Sequence, residues 1–423
     1  MEQLDVAWRL DEVTWLAGGV VFLLAVAVSL VPDTRKENRE RQVMIWLLVA
    51  ATLVTAAAET AAAIMTGWTV VAILWFWLLP RNRLTYWLLL PLLGLWGSVG
   101  LSQGTAGMAI MLLSTAAILM GVWPLSGWRS LVEELTLPFS ILLLTLLPII
   151  GLSLLGRFPQ ASQIDVAYKL VITIFGLLGM LMGLRQTWGQ LLYPKRAMTS
   201  LAQLQANLAF LVVLWGGPEV ALGEIRLLLA VVILYLAVGR LQASWQLTGP
   251  LVALVSLIGL PLTAGFAGRA SLYSAWGENG RFLLILVLTL LHVPLVTAGF
   301  WLLRRQTEEL PPSPIEIAAW SLPAIGLISF AGLRDTSILI WLAVLLPFVL
   351  GLIAMRWVTD LPEVRTVLRR AFMFSWTRFW PRQLPGFLAT NVGTALHEAA
   401  RILEGESGLL WLLAFVVILL LVR

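Results

Sequence analysis

The stretch Leu257-Ile-Gly-Leu-Pro261-Leu-Thr-Ala-Gly265-Phe-Ala-Gly268-Arg269 decides how this chain is read. It lies inside an apolar run, 249–277, that is long enough to cross a bilayer. Yet Gly259, Pro261, Gly265 and Gly268 crowd into ten residues of it. Proline removes a backbone donor and clashes with the preceding turn, and glycine weakens helix, so the helix is expected to break here. Broken helix at membrane depth is tolerated only where it is packed in protein or faces a wet cavity. Transporters place ion sites at such breaks, and Arg269 ends this one with a charge.

Outward from that stretch, the whole chain has the composition of a membrane protein. Of its 423 residues 60% are hydrophobic and 12% charged, with a mean hydropathy of +0.91. A soluble domain carries roughly twice that charged share. Soluble enzymes, secreted scaffolds and nucleic-acid binders are excluded on that ground, and the net charge of +5 reports where loops lie. Cysteine is absent and histidine occurs twice. Iron–sulfur clusters, disulfides and Cys/His zinc sites therefore have no ligands, and no phosphate-binding glycine loop is visible. No cofactor is expected in this chain, and any redox chemistry belongs to a partner. Met1 to Glu12 is polar and lacks the pattern of a removable signal peptide.

Apolar runs separated by short charged loops place about fourteen spans, at 13–32, 43–65, 67–79, 84–101, 104–124, 135–156, 166–188, 197–217, 221–243, 249–277, 281–303, 315–333, 336–356 and 408–422. The fold class is all-α and polytopic. Loops after odd spans hold Arg35, Lys36, Arg39, Arg41, Arg81, Arg83, Arg129, Lys195, Arg196, Arg240, Arg304 and Arg305, against Arg157, Arg281 and Arg334 after even ones. Basic loops stay cytoplasmic, so the N-terminus is expected outside a bacterial cytoplasmic membrane. Many of the 21 tryptophans lie near span ends, where an amphipathic ring suits the headgroup layer. Residues 1–356 thus form a transmembrane bundle and 408–423 a last helix. Between them, 357–407 alternates apolar and basic faces, with Arg365, Arg369, Arg370 and Trp376 among its residues. That stretch reads as amphipathic helix along the cytoplasmic surface, a brace for neighbouring helices or subunits.

Charges at membrane depth cost about 2.5–3.5 kcal/mol or more, and each needs a reason. Glu59, in Thr55-Ala-Ala-Ala-Glu59-Thr60, reads as lying inside the second span. His292 falls near the middle of the eleventh, two residues before Pro294, whose freed carbonyl the imidazole can satisfy. With Arg269 these make a candidate proton or ion path. Lys169 and Arg185, near the two ends of the seventh span, read as snorkelling side chains. Gly176, Gly179 and Gly183 mark tight helix packing in that span.

Three stretches, in order, carry a family resemblance over roughly residues 70–300. Gly259-Leu-Pro-Leu-Thr-Ala-Gly-Phe-Ala-Gly-Arg269 resembles the discontinuous-helix signature of the antiporter-like subunits of respiratory complex I and their Mrp sodium/proton antiporter relatives. Trp123-Pro-Leu-Ser-Gly-Trp128, continuing through Leu137-Pro-Phe-Ser140 to Arg157, resembles the segment in which Pro-Leu-His-x-Trp precedes a first broken helix. Tyr193-Pro-Lys-Arg-Ala-Met-Thr-Ser200 resembles the Asp-x-Lys-Arg-x-x-Ala-Tyr-Ser loop. The resemblance implies two inverted five-helix repeats, each with a broken helix, and a central row of Lys, Glu and His that relays protons. Position by position that row is depleted. Leu119 and Leu144 stand where the family has lysine or histidine, Ser126 replaces the motif histidine, and Leu74-Trp-Phe-Trp-Leu-Leu79 carries no glutamate. Arg269, at the place of a terminal lysine, keeps a charge but holds its proton too tightly to relay it.

The leading expectation is therefore an antiporter-like membrane subunit of a complex I-like (NADH:quinone oxidoreductase-type) or Mrp-like assembly, structural and with little pumping of its own. Its partners are other membrane subunits and the bilayer, with quinone only in a neighbour. Two alternatives stand beside it: a conductor rerouted through Glu59, His292 and Arg269, and an unrelated transporter binding an anion near Arg269.

Overall fold

The computed structural model describes residues 7–30, 38–79, 85–99, 106–122, 125–158, 164–238, 240–241, 244–304, 312–329 and 337–360. The expected brace, with Arg365, Arg369, Arg370 and Trp376, and the expected last helix at 408–423 lie outside the described residues. Within them the chain is helical, apart from isolated bridges Trp8–Ala58 and Thr263–Ile328.

Fourteen α-helices follow in order: α1 Glu12–Ser29, α2 Asn38–Ala56, α3 Ala61–Leu78, α4 Leu90–Val99, α5 Ala106–Met120, α6 Leu137–Arg157, α7 Val166–Gly189, α8 Pro194–Gly216, α9 Ala221–Ala237, α10 Thr248–Ile258, α11 Ala264–Glu278, α12 Phe282–Arg304, α13 Pro314–Ser321 and α14 Ile338–Asp360. They do not correspond one to one with the expected spans. Among the described residues seven helical stretches are long and apolar enough to cross a membrane: α1, α3, α6, α7, α8, α12, and α9 with the turn before it. The others are shorter, carry polar residues like the Asn38–Arg41 start of α2, or, like α14, count as apolar only over a shorter part, Ile340–Arg356. Among the described residues, length and composition do not confirm the count of fourteen spans.

Three helices form the centre. Most residues of α6, α8 and α9 are buried, so these helices are enclosed by others; α6 is apolar almost all round, whereas α8 and α9 also bury Gln205 and Glu224. On one side α1, α2 and α5 pack on α6; on the other α10 and α11 pack on α9, and α12 pairs with α14. By contrast α7 lies at the periphery, against α8 and α12. The close approach expected there is present: a Cβ at Gly176 would come within 2.7 Å of Leu211, and one at Gly183 within 3.3 Å of Leu204 and the Ser200 carbonyl.

The expected second span divides. Ala57 to Thr60 form a turn, because the N-terminal strand-like segment takes its backbone groups: Arg9 N–H donates to Ala57 O at 2.9 Å and Glu59 N–H to Ala7 O at 2.8 Å. Thr60 then caps α3, its side chain accepting from the Ala63 amide at 3.2 Å. Glu59 consequently lies in the turn between α2 and α3 rather than inside a helix. Its side chain is 47% exposed and pairs with Arg9 at 3.7 Å. A local cap and a bridge outcompete the helix propensity of the alanine run.

The α6 region also differs from expectation. The resemblance implies a first broken helix, but α6 runs unbroken from Leu137 to Arg157 with Pro148 inside it. A single proline costs one hydrogen bond, and Gly151, three residues on, stays helical, so no left-handed residue follows to divert the chain.

Candidate functional site at the helix break

The break expected at 257–269 is present. Helix α10 stops at Gly259, whose φ of +83° lies in the left-handed region that glycine enters freely. Gly259 N–H donates to Ser256 O at 3.0 Å and Leu260 N–H to Val255 O at 3.1 Å, the paired bonds of a Schellman end. Pro261 cannot continue the helix. Leu262 is the one non-glycine residue with positive φ among those described, at +67°. The crossing strand is held from outside, by Ser329 N–H donating to Leu262 O at 3.0 Å. Helix α11 then starts at Ala264.

The other two glycines let parts of the site touch. A Cβ on Gly265 would stand 2.1 Å from Ser256 O, so glycine is what allows α11 to begin against the end of α10. A Cβ on Gly268 would stand 2.5 Å from Glu224 Oε1, so glycine makes room for that carboxylate. One turn beyond the break, Arg269 reaches back. Its Nη2 donates to Leu257 O at 3.2 Å, one of the carbonyls left orphaned at the end of α10. A cation at a helix C-terminus also meets the negative end of the dipole.

Two more helices complete the site. Arg269 Nη1 donates to Glu224 Oε1 on α9 at 3.3 Å, and Nη2 to Gln205 Oε1 on α8 at 3.2 Å. Gln205 Nε2 in turn donates to Glu224 Oε2 at 3.1 Å. Arg269 and Glu224 are each 1% exposed. Removing two charges from water is costly, and the cost is offset only where hydrogen bonds and the opposite charge come together, as here. Four helices, α8 to α11, are thus tied into one neutral knot. Arg269 Nε and the nearby Ser256 hydroxyl have no partner among the described residues.

His292 belongs to the same half of the molecule but not to this knot. It is 2% exposed on α12, and its Nδ1 faces Leu288 O at 2.8 Å, which makes Nδ1 the protonated nitrogen. The carbonyl one turn before Pro294 is not its partner, because its own preceding turn lies closer. Nε2 is buried and has no partner among the described residues. The Pro294 carbonyl instead accepts the Trp188 indole N–H at 3.2 Å. The structure therefore does not gather Glu59, His292 and Arg269 into one path: Glu59 sits at a bundle end and Arg269 is occupied by Glu224.

Nothing in the local sequence by itself marks Glu224 and Gln205 as members of the site. Glu224 stands near the start of an apolar run, two residues before Arg226, where a carboxylate reads as interfacial. The available signal was Gly223-Glu224 inside an otherwise apolar helix, together with an unpaired Arg269 in need of an anion.

Elsewhere along the expected row, Leu119 and Leu144 are buried in the apolar core. Ser126 takes a hydrogen bond from Gln203 Nε2 at 3.1 Å. Among the described residues, no three of His, Asp and Glu come together as metal ligands.

No protein-family model matches the chain, and no curated protein matches it. Solved structures do. A chain of the Mrp complex from Dietzia sp. is 14% identical and superposes with a TM-score of 0.65, over 98% of this chain and 57% of its own length. A chain of the membrane-bound sulfane sulfur reductase, an archaeal respiratory membrane complex, is also 14% identical, with a TM-score of 0.64 over 98% of this chain and 89% of its own. The chain has the antiporter-like fold of these membrane-complex subunits and spans a little over half the length of the Mrp chain.

Proposed function

We propose that this protein is a membrane subunit of a complex I-like or Mrp-like assembly, with a structural rather than a proton-conducting role. One observation carries the reading. The charge kept at the helix break is an arginine, closed on itself by Glu224, Gln205 and the Leu257 carbonyl. Guanidinium does not give up its proton under physiological conditions, so a proton arriving there has no onward donor. The buried leucines at 119 and 144 support the same view, since hydrocarbon neither titrates nor holds water in file.

The built-in carboxylate also weakens the reading of Arg269 as a transporter's anion site, because Glu224 already fills that role. The conducting alternative draws on a single feature, the unpartnered Nε2 of His292. In this reading the partners are other membrane subunits, and redox cofactors or quinone reside in them.

The test has two parts. Extracted from native membranes in mild detergent, the protein is expected to bring other membrane subunits with it. Reconstituted alone in liposomes, it is expected to show no proton or sodium flux above protein-free vesicles. A lone, stable monomer from native membranes, or a flux that His292→Ala abolishes, would overturn the structural role.

A further inference from the structure

A second polar cluster lies at one end of the bundle, away from the break. There α7 and α12 begin and α8 ends. Trp215, the penultimate residue of α8, carries two cations on its indole ring. Lys169 Nζ stands 5.5 Å from the ring centroid and Arg281 Cζ 4.4 Å. The ring is fixed: its N–H donates to Thr173 Oγ1 at 2.7 Å, and it meets Trp276 edge-on at 6.4 Å.

Two like charges held against one ring repel, and an aromatic face compensates only weakly for a counter-charge. Among the described residues neither cation has a carboxylate partner. Of the acids close by in sequence, Asp165 caps α7 through the Ala167 amide, Glu278 accepts from the Ser274 hydroxyl and Glu219 is exposed; none pairs with Lys169 or Arg281. Arg281 Nη1 is buried and has no hydrogen-bond acceptor among the described residues. Other cations near helix ends do have counter-charges, as Arg157 has Asp11 and Arg240 has Glu316.

The surroundings present an exposed apolar face. Val166, Tyr168, Val171, Ile174 and Phe175 of α7 face outward. Phe282, the residue after Arg281, opens an apolar cleft of about 620 Å³ between α11, α12 and α14. We propose that Lys169 and Arg281, set on Trp215, form a binding site for the phosphate of an anionic lipid headgroup, with an acyl chain entering the cleft at Phe282. A phosphodiester supplies the missing counter-charge and acceptors, and its apolar tail selects a lipid over a free anion.

The purified full chain in neutral detergent is titrated with phosphatidylglycerol, with phosphatidylcholine and, separately, with inorganic phosphate, and bound species are counted by native mass spectrometry. Phosphatidylglycerol is expected to bind in preference to phosphatidylcholine, and the preference to fall about tenfold in the Lys169→Gln/Arg281→Gln double variant. Lys169→Gln alone, which removes a side chain with no hydrogen bond among the described residues, is expected to lose part of it and keeps the test open should the double variant not fold. Equal binding of the two lipids by the wild type overturns the proposal, as does a preference that survives in the variants. Competition by inorganic phosphate at millimolar concentration overturns the lipid assignment in favour of a free-anion site.

Discussion

At the scale of single residues, the buried knot makes the sharpest demands. Glu224→Gln keeps the shape but strands the Arg269 guanidinium without a counter-charge. Breaking a buried pair in this way is expected to cost about 3–5 kcal/mol, measured by thermal or denaturant unfolding in detergent. The double replacement Glu224→Leu/Arg269→Leu is expected to recover a good part of that loss, since it removes both charges together. A second residue-scale prediction concerns pH. Asp11 caps α1 and pairs with Arg157 at 2.8 Å. Partial burial raises its carboxyl, but the Thr14 hydrogen bonds and the Arg157 guanidinium outweigh that and hold it below the ordinary 3.8. A lowered folded value means the stabilisation is fully present above 3.8 and is lost as pH falls through the folded value. The difference in unfolding midpoint between wild type and Asp11→Asn is therefore expected to be constant above about pH 5 and to shrink at lower pH. Arg269 and its glycines were legible in the sequence because glycine, proline and charge are conspicuous in an apolar run. Glu224 was not, because nothing in a linear sequence says that the start of α9 faces the middle of α11.

At the scale of elements, the contrast between α6 and α10–α11 shows what breaks a membrane helix. Pro148 alone leaves α6 continuous. At 259–263 the chain has a left-handed glycine, a proline, a positive φ at Leu262 and an outside hydrogen bond from Ser329. Positive φ at a leucine costs of order 1–3 kcal/mol, and it persists because the flanking helices fix both ends. Gly265→Ala is expected to be more damaging than Gly268→Ala. Its Cβ meets a backbone carbonyl, which cannot move aside, whereas the Gly268 neighbour is a side-chain oxygen. Yield of monodisperse protein by size-exclusion chromatography checks the order. Helix ends are also met in a recurring way. Arg269 takes a carbonyl at the end of α10, and Arg129 and Trp128 take Met120 and Ile118 carbonyls at the end of α5, at 2.8 Å in each case. The alanine-rich turn at 57–60 escaped the sequence reading because its hydrogen bonds come from residues 7–9, some fifty positions away.

At the scale of the whole molecule, burial is uneven, with α6, α8 and α9 enclosed and α7 open. The outward face of α7 is apolar and meets either lipid or a neighbouring subunit. Ile174→Lys is expected to lower the fraction of inserted protein, by an amount corresponding to about 2.5–3.5 kcal/mol, read by protease protection in isolated membranes. Composition and hydropathy by themselves determined that the chain is a helical membrane protein, because apolar runs with few charges have no other stable solution in water or lipid. The sequence also determined the place of the broken helix, since glycine and proline act on their own backbone. Only the tertiary structure decided which carboxylate answers Arg269, that Glu59 stays at a bundle end, and that α6 is whole. Those outcomes depend on which helices touch, and contacts between distant segments are fixed by packing and buried charge rather than by local backbone preference.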